Sequence, residues 1–388
     1  MASRRDVLRL GARVAAAGVV GGLATRGAWL SVADGAPSAA DQALLARPLR
    51  SGHLPITDAS ALLVAHERGL WQAAGLPSQA PALFRGWDAL AQAFAVGELD
   101  VVHLLLPLAV QLRLASKAPM RVIGWGHTNG SALTVRPAIT DTAQLAGATI
   151  AVPSWWSVHS VLTQRLLTGA GLRAVIGQRP RAAAGTVELV VLPPAEMVSA
   201  LAQGGIAGFA VADPFNAVAE VQGIGRIHRF LGDVWRDHAC CAIAVREDLI
   251  AEHPAAVQAI AHGLVAAQSW LSGHPHEAPA LLSDGGYLPQ PLPALSKVFE
   301  RTAAEYSSSI SHPDWHGERL AFEAYPHRSY TEALVTLMQT SQIDGDTTFL
   351  DGLDPASVHD LLVDDRFVSA ALAEADQAIG SREEVLEA

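Results

Sequence analysis

The sequence predicts an α/β protein built as two compact units with a mainly helical C-terminal third, and three observations carry that prediction. The chain has 388 residues, half of them hydrophobic, whereas a single core stops growing at roughly 250 to 300 residues. Through the first two thirds, short apolar runs of strand length alternate with stretches of helical spacing. Beyond Cys241 one further strand gives way to long Ala-rich helices.

In chain order, Leu49 to Leu54 reads as a strand, and Pro55-Ile56-Thr57-Asp58-Ala59 leads into a helix with Asp58 as its N-cap. Leu62, Leu63, Ala65, His66, Leu70 and Trp71 continue that helix until Gly75 stops it. Asp88 to Gly97 is a second helix, and Asp100 to Leu106 a buried strand ending at Pro107. Met120 to Trp125, Ser131 to Val135 and Thr149 to Val152 are strands. The middle third repeats the pattern, with helix 157–170, strand 187–192, helix 195–203 and strand 206–211. Ala242 to Val245 is the last strand, and His253-Pro254 opens the helical part. Strands this continuously apolar belong to sheets covered on both faces. There is no internal repeat at solenoid periods.

Composition excludes several functions. With 27 Lys and Arg against 38 Asp and Glu, the formal charge of -11 opposes nucleic acid and anionic lipid. An anionic small ligand remains compatible, because a positive or amide-lined pocket acts at short range. Cys240 and Cys241 are the only cysteines, so no disulfide framework exists and no lipoprotein cysteine follows the N-terminal segment. Gly-rich phosphate loops, G-x-S-x-G and H-E-x-x-H are all absent.

The N-terminus has the pattern of an export signal. Ser3-Arg4-Arg5-Asp6-Val7-Leu8-Arg9 precedes a mildly apolar run from Leu10 to Ala24 broken only by Arg13. Paired arginines before a weak apolar region resemble signals of the twin-arginine route. Residues 1–40 are expected to be signal and connector, cut between Ala24 and Ala40. The expected location is therefore periplasmic or extracytoplasmic, with the twin-arginine translocase as an export partner.

Three segments together resemble the nitrate, sulfonate and bicarbonate branch of ABC-importer solute-binding proteins. The first is Gly52-His53-Leu54-Pro55-Ile56-Thr57-Asp58-Ala59 running into Leu62 to Trp71. The second joins Leu192-Pro193-Pro194-Ala195-Glu196-Met197-Val198 with Gly208 to Asn216, and the third is Tyr325-Pro326-His327-Arg328-Ser329-Tyr330. The resemblance implies a two-lobed periplasmic-binding-protein type II fold with a ligand cleft between the lobes. Lobe one would comprise residues 41–138 and 240–388, and lobe two residues 139–239, with crossings near Val135 to Asp141 and Trp235 to Ala244. It implies a receptor that delivers a small polar or anionic solute to an ABC importer permease, without cofactor or catalysis. Two other readings stay open: an enzyme similar to the thiamine-pyrimidine synthases of the same fold family, which carry a longer cysteine cluster, and a metal-binding or sensory protein using the cysteine pair.

Candidate ligand residues fall on the strand ends. Thr57 and Asp58 either hold an oxyanion or cap a helix. Trp87 stands at a helix start, as a cleft wall or a packing anchor, and His103 in an apolar strand is either a ligand contact or a core residue. Trp155, Trp156 and His159 follow a strand across Pro153-Ser154, where consecutive tryptophans have poor access to a core. Asp213 and Asn216 close another strand in Asp213-Pro214-Phe215-Asn216. Where the nitrate and bicarbonate binders are similar to a lysine-bearing segment, His238-Ala239-Cys240-Cys241-Ala242 has no lysine. Cys240 and Cys241 could bind a soft metal with His238, close a strained vicinal disulfide, or be small core residues. His274, His276, His312 and His316, with Asp314, read as surface residues.

Overall fold

A computed structural model describes residues 47–300 and 303–387; the export signal expected at 1–40 lies outside the described residues. In chain order the strands are β1 (Ser51–His53), β2 (Ala82–Leu83), β3 (Val101–Leu105), β4 (Met120–Trp125), β5 (Thr128–Asn129) and β6 (Ser131–Val135). They continue with β7 (Thr149–Val152), β8 (Arg173–Ile176), β9 (Thr186–Val191), β10 (Gly208–Ala212), β11 (Arg226–Phe230), β12 (Cys241–Arg246) and β13 (Leu320–Ala321).

Two sheets result. The first has the order β2-β1-β3-β12-β4, and the second β11-β6-β10-β7-β9-β8. The first is parallel except for β12, which runs antiparallel to both β3 and β4. In the second, β6 is antiparallel to β10 and β11. β3, β6, β10 and most of β12 are buried along their length, in keeping with their largely apolar sequences.

The chain leaves the first sheet after Trp125 and enters the second at Ser131, through a turn in which Asn129 and Gly130 both take positive φ. The expected crossing at Val135 to Asp141 is therefore too late, because all of β6 pairs with β10. Return falls between Phe230 and Cys241. The helical part is shared between the sheets. The 20-residue helix Pro254–Gly273 packs on the first sheet through Ile260, Leu264 and Val257, whereas Ala294 and Val298 of helix Leu292–Phe299 pack on Ala217 and Val218 beside the second.

Three local expectations are corrected. Asp58 is not an N-cap: it lies inside the 3-10 turn Thr57–Ala59, and its carboxylate caps no backbone N–H. The helix beyond it is interrupted at Gly69, whose left-handed φ of 63° separates Ser60–Glu67 from Leu70–Ala73. Pro107 does not merely end a strand but opens the helix Leu106–Leu114, where proline is tolerated because the first N–H groups of a helix have no internal acceptor. No helix among the described residues is long and apolar enough to cross a membrane.

Candidate ligand-binding site

The site forms where the strand ends of the two sheets meet. β1, β3 and β4 finish, and β12 begins, at one edge of the first sheet, so Asp58, His127 and the Cys240-Cys241 pair converge there. One ligand atom from each of these four buried residues lies within 4.8 Å of every other. Cys241 Sγ stands 3.6 Å from Cys240 Sγ, and both cysteines are free thiols. His127 Nε2 is 3.0 Å from Asp58 Oδ2, an ion-pair distance without hydrogen-bond alignment.

The second sheet supplies the facing wall. His159, in the helix Val158–Gly169 that Ser157 caps, places Nε2 2.9 Å from Ser131 Oγ and 3.8 Å from Cys240 Sγ. Across the same junction Thr57 donates its backbone N–H and its hydroxyl to the carbonyl of Asp213, at 2.8 and 3.0 Å. Such positions, outside the carboxyl ends of strands at a change of sheet, are where open α/β sheets bind ligands.

Electrostatically the cluster is tense. Burial lifts the Asp58 carboxyl to about 7, against the opposing pull of His127. Burial also works against charge on His127, but Asp58 and Cys240 outweigh it and raise the ring to about 10. Cys240 is held well below an ordinary thiol despite burial, by the Cys241 thiol and the His159 and His127 rings. Cys241 is pushed up by burial and by its neighbour's sulfur. The two cysteines are thus pushed in opposite directions, Cys240 toward the thiolate and Cys241 toward the thiol.

The remaining candidates are placed as follows. His103 is fully buried, with its ring 6.1 Å from that of His127, and burial drives it well below its ordinary value. Asp213 carries its carboxylate on Arg319, and Asn216 spends its amide on Thr134 Oγ1 and the Val211 carbonyl, both within the second sheet. Trp87 is a core residue at the first position of its helix. Trp155 and Trp156 do reach the core, contrary to expectation: both pack half-buried against the main hydrophobic cluster, and Trp156 lies against Phe349 with ring centroids 5.5 Å apart. His238 is buried but stands outside the four-residue group.

His274, His276 and His316 are exposed, as is Asp314. His312 is not: it is buried because its loop docks on the Asp233 carboxylate, which accepts the N–H groups of Ser311 and His312 at 2.7 Å.

Two residues central to this geometry escaped the sequence reading. His127 sits in Gly126-His127-Thr128-Asn129-Gly130 directly after a buried strand, the same signal that singled out Thr57. Arg319 has no local signal, since its partner Asp213 lies 106 residues away.

Paired α/β sheets with facing strand ends define the two-lobed fold of periplasmic solute-binding proteins. Residues 43–282 match the NMT1-like family, and the chain belongs to it. The chain is 27% identical over 293 residues to the nitrate/nitrite binding protein NrtA of Nostoc sp. (strain PCC 7120), covering 69% of this chain and 66% of that one. A match to NrtA of Synechocystis sp. (strain PCC 6803), 26% identical, covers 56% of this chain and 52% of the relative. The chain thus spans between half and two thirds of these curated relatives. The crystal structure of the periplasmic nitrate-binding protein NrtA from Synechocystis PCC 6803 superposes with a TM-score of 0.72 at 19% identity, covering 86% of this chain and 91% of that one. The ligand-binding component of an ABC-type import system from Staphylococcus aureus, solved with zinc bound, has a TM-score of 0.66 at 19% identity, covering 84% and 99%.

Proposed function

We propose that the chain is the extracytoplasmic solute-binding component of an ABC importer, which encloses a small polar or anionic solute between its lobes and acts by binding, without turnover. The observation that carries this reading is the buried polar cluster at the facing strand ends, bridged by the Thr57 to Asp213 contact. Sheets joined by two crossings open and close as rigid bodies, and a ligand that touches both lobes favours the closed arrangement. We take the lobes to change at 126–130 and 231–240, where the chain passes between the sheets. Thr57, Asp58, His103, His159, Cys240 and Cys241, with His127, line the site; Asp213 holds its closure, and Trp87, Trp155, Trp156 and Asn216 build its walls.

The relatives support the reading. NrtA of Nostoc is a nitrate/nitrite binding protein, and a nitrate import ATP-binding protein, NrtC of Synechocystis, matches 58% of this chain at 28% identity over 238 residues. An importer permease and its ATPase are the corresponding partners, and the Arg4-Arg5 segment is the address read by the twin-arginine translocase. Titrating nitrate, bicarbonate, alkanesulfonates and divalent metal ions into the purified chain tests the proposal, because a ligand of the native state raises the melting temperature. Binding by one of them with reversible lobe closure in solution scattering is expected; chemical conversion of the bound compound would overturn it.

A further inference from the structure

We infer that the solute captured at this cleft is a thiophilic metal ion of the Zn²⁺ class, held by Asp58, His127, Cys240 and Cys241. The identity of the ion as transported solute rests on the receptor reading above; the coordination site rests on geometry alone.

The donor set comes first. Two sulfurs, an imidazole and a carboxylate match a borderline-soft, tetrahedral cation, whereas Ca²⁺ and Mg²⁺ take oxygen ligands. Spacing agrees. Zinc bonds of about 2.3 Å to sulfur and about 2.0 to 2.1 Å to nitrogen or oxygen put tetrahedral donors roughly 3.3 to 3.8 Å apart. The sulfurs are 3.6 Å apart, the imidazole and carboxylate atoms 3.0 Å, and no pair exceeds 4.8 Å. Small side-chain movements suffice to close the polyhedron.

Unmet polarity is the second observation. Both Asp58 oxygens and both His127 nitrogens are buried without a hydrogen-bond partner among the described protein groups. A buried carboxylate oxygen with no aligned donor is costly, and native structures rarely leave one. Beyond the 3.0 Å ion-pair approach of His127 Nε2 to Asp58 Oδ2, neither side chain has an aligned hydrogen-bond partner, and Asp58 Oδ1 and His127 Nδ1 are left without one.

The geometry also couples the ion to closure. All four ligands lie at the strand ends of the first sheet, while His159, which reaches Cys240 from the other side and is held by Ser131, belongs to the second. The first lobe holds the ion and the second covers it. Because every ligand is buried in this arrangement, loading requires the Thr57 to Asp213 contact to part. On binding, protons held by the ligating thiols and by the ring nitrogen that turns to the ion leave to solvent.

The test uses the full chain, reduced and stripped with EDTA, then loaded with Zn²⁺ or Co²⁺. One ion per chain is expected, with a sulfur-to-cobalt charge-transfer band, tetrahedral visible bands, and protection of both thiols from alkylation by Zn²⁺. Asp58→Asn and His127→Gln should each weaken Zn²⁺ binding at least about 10-fold, and C240S or C241S should each diminish the charge-transfer band. Equal alkylation rates with and without Zn²⁺ in the unmodified chain would overturn the site, and this arm does not depend on whether any variant folds. Survival of the cobalt spectrum in the C240S/C241S double variant would overturn it too. If an oxyanion binds and Zn²⁺ does not protect the thiols, the metal inference fails and the receptor reading stands. If Zn²⁺ protects the thiols but the loaded chain delivers none to permease-containing vesicles, the coordination site stands and the ion is not the transported solute.

Discussion

Thr57 gives both its backbone N–H and its hydroxyl to one acceptor, the main-chain carbonyl of Asp213, at 2.8 and 3.0 Å. The first residue follows β1 of one sheet and the second follows β10 of the other, so a single oxygen latches the lobes together. Both residues are fully buried, so the contact is shielded from water.

Replacing Thr57 with Val keeps the shape and the N–H bond but deletes the hydroxyl donor. A net loss of about 1 kcal/mol from the closed state is expected, which weakens ligand affinity roughly 5-fold while the fold persists. Calorimetric titration with the ligand identified in the binding screen, read beside solution scattering, checks this; unchanged affinity would mean that closure does not use the latch.

Arg319 fixes the other half of the latch. Its guanidinium binds both Asp213 oxygens, at 2.6 and 2.9 Å, and Glu220 at 2.9 Å, with Tyr306 completing its shell. Arg319 and Asp213 are each about 1% exposed at the side chain, so Arg319→Met strands a buried carboxylate. A loss of about 3 to 5 kcal/mol is expected in urea unfolding, and Arg319→Lys should recover only part of it because an ammonium cannot fork across two oxygens. A loss below about 1 kcal/mol would show that Asp213 finds another donor.

How much of this was legible depended on burial. Val101 to Leu105 and Ser131 to Val135 announce themselves because buried strands are largely apolar. Arg173–Ile176 and Arg226–Phe230 do not, because they are the two edges of the second sheet and carry the charged residues that edges need. Thr57, Asp58, Cys240 and Cys241 were visible as residues at strand ends, but their meeting was not, since it depends on β12 running antiparallel between β3 and β4. The same insertion brings His127 into the group, and no local pattern encodes it.

His53 makes stability depend on pH in a defined direction. Burial pushes this ring down to about 4 from 6.5, despite its 2.8 Å contact with the Leu54 carbonyl. The unfolded chain takes up the proton first, so the contribution of neutral His53 is complete above pH 6.5 and is lost as pH falls to about 4. That amounts to about 3 kcal/mol. His53→Gln lacks the proton uptake, and between pH 7 and 4 its unfolding free energy should fall less than that of the unmodified chain by up to this amount. Parallel curves in urea titrations at several pH values would contradict the assignment.

Gly130 ties the crossing to the site. Its φ of 77° is a conformation that side chains rarely adopt, and a Cβ there would stand 2.8 Å from Asp58 Oδ1, 3.0 Å from Leu320 Cδ1 and 3.2 Å from His127 Nδ1. Gly130→Ala therefore combines backbone strain with displacement of two of the four clustered ligands, and a destabilisation of about 1 to 3 kcal/mol is expected. Gly171 is the control. It also has positive φ, 72°, but a Cβ there meets nothing within 4 Å, so Gly171→Ala should cost stability without touching the cluster. Thermal unfolding of both variants separates strain from crowding, and thiol alkylation rates at Cys240 and Cys241 report the site: a changed rate in Gly130→Ala and an unchanged one in Gly171→Ala are expected. Equal rates in the two variants would show that the turn does not position Asp58 and His127.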